Sequence, residues 1–526
     1  MSAADAVVIG AGPNGLVAAN LLADAGWDVL VLEANDEPGG AVRTAEVTAP
    51  GFRNDLFSAF YPLGAASPVL RALELEEHGL RWVRAPKVLA HPTRDGPAAV
   101  LSTDLDETAV SLEQFAAGDG DAWRHLFELW QRAGRAFLDV LLSPFPPVRG
   151  GARLAARLGA RGLLDFTRFA LLSVRRVAEE RFAGAGGGLL LAGNAMHADL
   201  TPETAGSGVL GWLLSNAGQE VGFPVPEGGS GQLTAALVAR LVARGGRLEC
   251  GQRVTRIEVA GGRVAGVRTA TGEFVTVRRA VLADVGAMAL YRHLLAPDHV
   301  PRRVLDALER WQPGDATVKV DWALSAPIPW ADPAVAPAGT VHLADSIDEM
   351  SLAAVQIATG HVPAQPFLLF GQMTTADPTR SPPGTESAWA YTHVPQRVRG
   401  DAGPDAIKGI WDERDTDAIV GRIEDRIEAY APGFRDRILA RHVMTPPMLE
   451  AADANLVGGD VNGGTAQLHQ QFVFRPVIGL GRAETPIPGL YLASASAHPG
   501  GGVHGACGAN AARAALWHAR LRTRRR

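Results

Sequence analysis

Three glycines and one acid near the start of the chain have the types and spacing to hold a diphosphate and a ribose. Gly10-x-Gly12-x-x-Gly15 encloses Pro13 and Asn14, and Glu33 stands eighteen residues beyond Gly15. The first glycine of such a turn permits a tight reversal. The second lets backbone approach a pyrophosphate, and the third lets helix and strand pack closely. A helix N-terminus placed after the turn presents N–H groups and a partial positive charge to phosphates. A carboxylate at Glu33 is then placed to accept hydrogen bonds from ribose hydroxyls. Elsewhere no Ser-His-Asp arrangement or metal-ligand spacing stands out, so no metal site is expected.

The flanking pattern supplies the elements that such residues need. Ala6-Val7-Val8-Ile9 reads as a strand buried on both faces, 16–25 as a small-residue helix, and 27–32 as a second strand ending at Glu33. Strand, turn, helix, strand and acid in this order form a dinucleotide-binding βαβ unit. Gly228-Gly229-Ser230-Gly231 precedes a further helix over 232–244. Two strands about Gly261-Gly262 form a hairpin, and a third after Thr271-Gly272 leads to Ala280-Val-Leu-Ala-Asp284. Residues 311–395 alternate as an antiparallel sheet would, with a turn at Pro382-Pro383-Gly384, and a helix is expected over 415–430. Near the end come a turn (485–489), a strand (490–493), the loop Gly500-Gly501-Gly502 and a small-residue helix from about 503 to 519.

A chain of 526 residues exceeds the single-core limit, so two or more intergrown domains are expected. Hydrophobic content of 47% and charge of 20% are those of a soluble globular protein. The net charge of −6 gives no reason to expect nucleic acid. Two cysteines, Cys250 and Cys507, form no C-x-x-C pair, which speaks against dithiol redox chemistry and for a reducing compartment. The N-terminus enters a strand at once without a basic leader, and no apolar run reaches transmembrane length, so a cytoplasmic protein is expected. Residues 112–181 are helical in character, broken by Pro144, Pro146 and Pro147. Within them, 141–181 carry eight Arg against three acids among Leu, Phe and Val. Such a segment either covers a pocket as an amphipathic helix pair or lies peripherally in a membrane interface.

The stretch after Glu33, Ala34-Asn-Asp-Glu-Pro-Gly39-Gly40-Ala-Val-Arg43, resembles a flavoprotein signature in which backbone and an arginine approach the diphosphate and flavin edge of FAD. Here Arg43 stands three positions after Gly40 instead of next to it. Taken with "PGLYLASASAHPGGGVHGACGANAARAAL", the N-terminal unit resembles the phytoene desaturase and carotenoid isomerase family of flavoproteins. "GGDVNGGTAQLHQQFVFRP" is similar to the subgroup that holds pyridine nucleotide-disulphide oxidoreductase domain-containing protein 2 and the carotenoid ketolases. The resemblance runs over most of the chain and is strong at its two ends. One departure is Ala493-Ser494-Ala495-Ser496-Ala497-His498-Pro499-Gly500, where the family often has V-G-A/G-x-T-H-P-G.

What the resemblance implies is an α/β protein. Its Rossmann-like FAD-binding domain would be p-hydroxybenzoate-hydroxylase-like, of the two-dinucleotide-binding-domain flavoprotein type. An inserted α+β substrate domain would carry a mixed or antiparallel sheet and a helical lid. The FAD-binding domain would comprise 1–75, 226–300 and 450–526, and the substrate domain 76–225 and 301–449, with 112–181 as the lid. The implied FAD is non-covalent, held by Gly10, Gly12, Pro13, Asn14, Gly15, Glu33, Ala34, Gly39, Gly40 and Arg43. A backbone contact from Val254 would reach the adenine, and Gly501, Gly502 and Val503 would bring the last helix to the pyrimidine end of the flavin. There the helix dipole stabilises negative charge on the reduced ring.

The implied substrate is a long apolar polyene, isoprenoid or lipid. Chemistry would follow from a C–H positioned over the ring, with a base for any departing proton. His498, His504 and Arg475 are the candidates, with His469 beside them. Cys507 reads as a small buried residue of a tight Ala/Gly helix, with covalent flavin attachment as its alternative. No second G-x-G-x-x-G unit offers a nicotinamide site, so electrons would pass to oxygen or a quinone, or return to the substrate in an isomerisation. Two other readings share the N-terminal pattern. A flavin amine oxidase is disfavoured by the missing Gly-Glu after the last strand and by only five Tyr for an aromatic cage. A flavin-free binding protein of the GDP-dissociation-inhibitor type is disfavoured by the intact Glu33 and both glycine loops.

Overall fold

The computed structural model describes residues 3–523. Its first sheet is built around Ala3–Ile9, whose Val7 and Val8 are fully buried. Val29–Leu32 and Phe274–Ala283 flank it in parallel, and Arg247–Glu249 and Leu490–Leu492 extend the parallel core on either side. The hairpin Val254–Ala260 and Arg263–Thr269 attaches antiparallel to the first half of Phe274–Ala283. One face packs on the helices Pro13–Asp24, Gly231–Ala243 and Ala506–Thr523 through Leu16, Leu237 and Ala512 among others. The other packs on the hairpin and on residues 287–308.

Two helix starts differ from the sequence expectation, both for backbone reasons. The first helix begins at Pro13, not at 16, because a proline at the first helical position has its φ pre-set and no N–H to satisfy. The last begins at Ala506, not at 503, because Gly502 (φ +106°) and Gly505 (φ +69°) hold the loop in left-handed conformations that no helix contains.

The second sheet has seven strands in the order Ile438–Met444, Ala316–Leu324, Glu386–Val394, Leu368–Gln372, Ala338–Leu343, Lys87–His91 and Ala99–Leu101. It is mixed, since Ala338–Leu343 and Lys87–His91 run parallel. Every residue of Ala316–Leu324 is buried because both faces are covered. Val318, Val320 and Trp322 meet the helix Glu413–Glu428 on one side. On the other lie the helices Asp119–Leu142, Val148–Leu171, Gly186–His197 and Ser207–Val221, whose Trp130, Phe166 and Phe169 gather around Trp212.

The arginine-rich segment is less basic in the fold than in composition. Arg153, Arg168, Arg175 and Arg176 pair with Asp139, Glu180, Glu203 and Glu179 respectively. Among the described residues no helix is long and apolar enough to cross a membrane.

The closest approach of the two chain ends is between backbones. A Cβ on Gly508 would stand 1.9 Å from the carbonyl oxygen of Asn14, a contact that neither element can relieve by a rotamer change. Gly508→Ala is expected to destabilise by about 3 kcal/mol, the upper range for an overpacked core. Gly421→Ala, in a helix with open space at that Cβ, is expected to change stability by less than about 1 kcal/mol, in the stabilising direction. Thermal and denaturant midpoints of the two variants check this contrast.

Candidate active site

A cavity of about 670 Å³ runs from the first glycine turn to the space between the second sheet and the helices. At its first end Gly10, Gly12, Pro13, Asn14, Glu33 and Ala34 form the wall, with Gly40 and Val254 beside them. The turn packs tightly on the end of the strand Phe274–Ala283, so no side chain fits at its first two glycines. Added Cβ atoms would stand 2.8 Å from Asp284 O at Gly10 and 2.8 Å from Asp284 Oδ2 at Gly12. The buried Asn14 Oδ1 on this wall has no hydrogen-bond partner. Glu33 fastens the turn to the end of the second strand: Oε2 accepts from Ala11 N–H (2.7 Å) and Oε1 from Asn35 N–H (2.9 Å).

Three expected wall residues lie behind it. Gly15 donates its N–H to Asp284 Oδ2 at 2.7 Å, and a Cβ there would stand 2.2 Å from Gly10 O, so it serves the packing of helix on strand. Of the other N–H groups in that first turn, Pro13 has none and Leu16 bonds to Gly12 O, which leaves that of Asn14 for a ligand. Gly39 spends its N–H on Ala11 O (2.9 Å). Arg43, displaced by the two residues after Gly40, turns to Gly40 O (3.0 Å) and Ala452 O (2.8 Å), with its guanidinium over Phe57, and does not reach the cavity.

Asp284 was legible only as the polar end of a strand, yet it organises this end of the cavity. Burial pushes its carboxyl up, the Gly15 N–H pulls it down, and the nearby Asp453 and Glu33 push it up again, to about 8. The local signal for it was an acid directly after the apolar run Val281–Ala283.

Gly501, Gly502, Val503, His498 and His504 bring the C-terminal loop to the same cavity. His498 Nε2 meets Ser143 O at 3.0 Å, while its Nδ1 is buried without a partner. His504 Nδ1 accepts from Ala506 N–H at 3.0 Å and so starts the last helix. Burial pushes both imidazoles down to about 4. Arg475 is buried and donates to the carbonyl oxygens of Ala495, Thr465, Asn462 and Gly463 at 2.7–3.1 Å. His469 is not brought to the cavity; it lies at the surface, 3.1 Å from Gln312. Cys507 is also off the wall: its Sγ faces Gly500 O and Ala497 O, and burial pushes the thiol up to about 12.

Beyond this loop the cavity opens into a chamber. Phe137, Leu141, Leu210, Leu213 and Leu214 form an apolar roof. Thr317, Lys319, Trp389 and Tyr391 form the floor on the second sheet. The described residues hold no cluster of three or more His, Cys, Asp or Glu that could take a metal ion.

A cavity lined by the glycine turn and by the loop before the last helix, and continued onto a second sheet, is the frame of a flavoprotein oxidoreductase. The chain belongs to the flavin containing amine oxidoreductase family, whose model matches residues 14–334. It is 30% identical to mouse pyridine nucleotide-disulfide oxidoreductase domain-containing protein 2, over 97% of this chain and 92% of that one. It is 28% identical to a lycopene-forming phytoene desaturase of Pseudescherichia vulneris, over 97% and 98% respectively. In fold it is similar to an oxidoreductase from Methanosarcina mazei (TM-score 0.63, 17% identity, 97% of this chain and 99% of that chain). It is thus an FAD-dependent enzyme of the phytoene desaturase-like type.

Removing the Asp284 carboxylate leaves the Gly15 N–H buried and unpaired, at a cost of about 1–3 kcal/mol. Asp284→Ala is expected to lower the flavin-to-protein ratio well below that of Asp284→Asn, which keeps an acceptor oxygen in place. Absorbance ratios of the two purified variants, with circular dichroism to confirm folding, read the difference. Equal flavin content in both would remove Asp284 from this role.

Proposed function

We propose that the enzyme oxidises a long apolar substrate, a polyene, isoprenoid or lipid, as a desaturase, oxidase or redox-neutral isomerase. The observation that carries this reading is the continuity of the cavity from the glycine turn into a chamber roofed by Phe137 and four leucines. Gly10, Gly12, Pro13, Asn14, Glu33, Ala34, Gly40 and Val254 would hold the adenosine and diphosphate of a non-covalent FAD. Gly501, Gly502 and Val503 would meet the flavin, with Gly15 and Gly39 shaping the turn from behind and Asp284 fixing it from the wall. The bound flavin supplies a two-electron acceptor for an oxidisable C–H.

The chain's own residues do the positioning. The roof excludes water and aligns an extended apolar molecule by shape. Arg475 shapes the C-terminal loop through its carbonyls, since its N–H groups are directed at backbone. His504 is spent on the helix start. His498, neutral and with Nδ1 free, is a wall group at the C-terminal loop able to take a departing proton. The similarity to a phytoene desaturase supports a polyene over other apolar molecules. Oxygen or a quinone would accept the electrons, and the exposed Val148, Leu164 and Leu171 of the arginine-rich helix would allow peripheral contact with a membrane that supplies such substrates.

The family description favours amine oxidation as the second reading. An aromatic cage needs two rings facing across a gap. Trp389 and Tyr391 instead stack on one another from the same strand, with 13° between their planes.

Anaerobic mixing of the FAD-loaded enzyme with a long acyclic polyene in detergent, and separately with a primary diamine, decides between the two. Bleaching of the flavin's visible bands by the polyene with a product two hydrogens lighter, or an isomer of unchanged mass with no lasting bleaching, is the expected result. Bleaching by the diamine alone would replace this reading with the amine oxidase.

A further inference from the structure

The floor of the chamber is one face of the second sheet, and its side chains follow from strand register. Thr317, Lys319 and Asp321 alternate on Ala316–Leu324, directly opposite His393, Tyr391 and Trp389 of Glu386–Val394. Lys319 is matched by Asp321, and the Trp389 N–H by Met373 Sδ. His393 is placed differently. Its Nδ1 stands 3.5 Å from Thr317 Oγ1, and its Nε2 stands 2.8 Å from Asp199 Oδ1, in an ion pair whose side chains are 5% and 3% exposed. Thr317 is on the cavity wall, and His393 and Asp199 lie behind it.

Asp199 is held at φ +56°, an uncommon conformation for a residue other than glycine and one that concentrates at functional sites. Its second oxygen accepts from Asn462 Nδ2, another wall residue. Asp315, half-buried at the entry to the same strand as Thr317, also acts on His393. These residues come from four separate parts of the chain.

We propose that Thr317, His393 and Asp199 form a proton-donating relay on the cavity wall that serves the return of electrons to a quinone. It rests on the preceding reading of the enzyme. Converting a quinone to a hydroquinone takes two electrons and two protons. A bound reduced flavin would supply the electrons and one of the protons. The second proton leaves Thr317 Oγ1 for the quinone carbonyl oxygen, the proton on His393 Nδ1 moves to Thr317, and a solvent proton restores His393. The quinone's two C=O groups become two C–O–H groups, and beyond the two electrons and the cofactor's proton only one solvent proton is consumed.

The charges around His393 suit this direction of transfer. Burial alone would push its imidazolium down, but Asp199, Asp315 and a backbone hydrogen bond at Ala316 outweigh it and lift the group to about 9. Burial raises the Asp315 carboxyl to about 6, with His393 lowering it and Asp199 and Asp460 raising it. The remaining neighbours are the Tyr391 ring, 5.5 Å away centre to centre, and His197, which burial brings down to about 4. At neutral pH His393 therefore carries its proton, so it donates to the Thr317 hydroxyl and does not activate it as a nucleophile. The same residue types would otherwise suggest hydrolysis.

The test uses the full chain loaded with FAD, reduced anaerobically with dithionite and mixed with menadione from about pH 6 to about 10. Recovery of the flavin's absorbance in the parent enzyme is expected to slow as pH rises through about 9, because the donor form is lost there. Thr317→Val and His393→Gln should be slower at neutral pH by on the order of 10²-fold and should lose that pH dependence. Thr317→Ser should restore it. Independently of turnover, nitrogen NMR of the histidines should find His393 titrating far above the ordinary range, lowered by Asp199→Asn and left in place by Thr317→Val. An unchanged pH profile in Thr317→Val with full flavin content overturns the relay, as does an ordinary or lowered His393 titration in the parent. Should His393→Gln not fold, the Thr317 pair carries the test. A preparation that binds no flavin overturns the underlying reading, and shows itself before any quinone is added.

Discussion

The Asp284 carboxylate beneath the first glycine turn is the constraint on which the rest of this structure depends. It sits at the end of a strand more than 250 residues from Gly15, yet it takes the Gly15 N–H at 2.7 Å and leaves no room for a side chain at Gly12. The turn can keep its shape only if the strand Phe274–Ala283 is already seated beside Ala3–Ile9, and that strand also carries Leu490–Leu492. One carboxylate therefore ties the start of the chain to its middle, and the sheet carries the tie on to its end. Where the last helix meets the first turn, Gly508 against Asn14 closes the ring with bare backbone.

This closure explains why the cavity is shared between distant segments. The glycine turn and Glu33 hold one end, the loop before the last helix holds the middle, and the second sheet with its helical roof holds the far end. Each part alone would expose either backbone N–H groups or a leucine-lined surface to water, and together they shield both. Two buried acids beside the glycine turn, Asp284 and Asp453, are both raised from ordinary carboxyl values by burial. Both line the cavity: Asp284 accepts from Gly15 N–H of the first helix, and Asp453 from Asn455 N–H of its own loop.

Much of the first sheet could be read directly because its signals are local. Strand hydrophobicity, glycine spacing and the acid at Glu33 all lie within about thirty residues, and the same holds for Leu490 to Ala506. The residues that were misplaced depend on geometry that spacing cannot show. Arg43 has the right type but two residues too many before it, and its guanidinium finds Ala452 O instead of the cavity. His469 is one residue from the wall residue Leu468 but points the other way. Asp284, Thr317, His393 and Asp199 were hidden for the opposite reason: each is ordinary in its own segment and becomes informative only when strand register and a left-handed backbone bring it to its partners.

The central claim is that both ends of the chain jointly hold one FAD without a covalent bond. The visible absorption spectrum of the purified full chain, taken before and after heat denaturation, addresses it most directly. The account predicts flavin bands at close to one equivalent per chain, all of it released to the supernatant by heat. Protein that carries no flavin and takes up none when FAD is added would contradict the account. So would a flavin that heat cannot free, because Cys507 is buried away from the cavity and no cysteine stands on its wall.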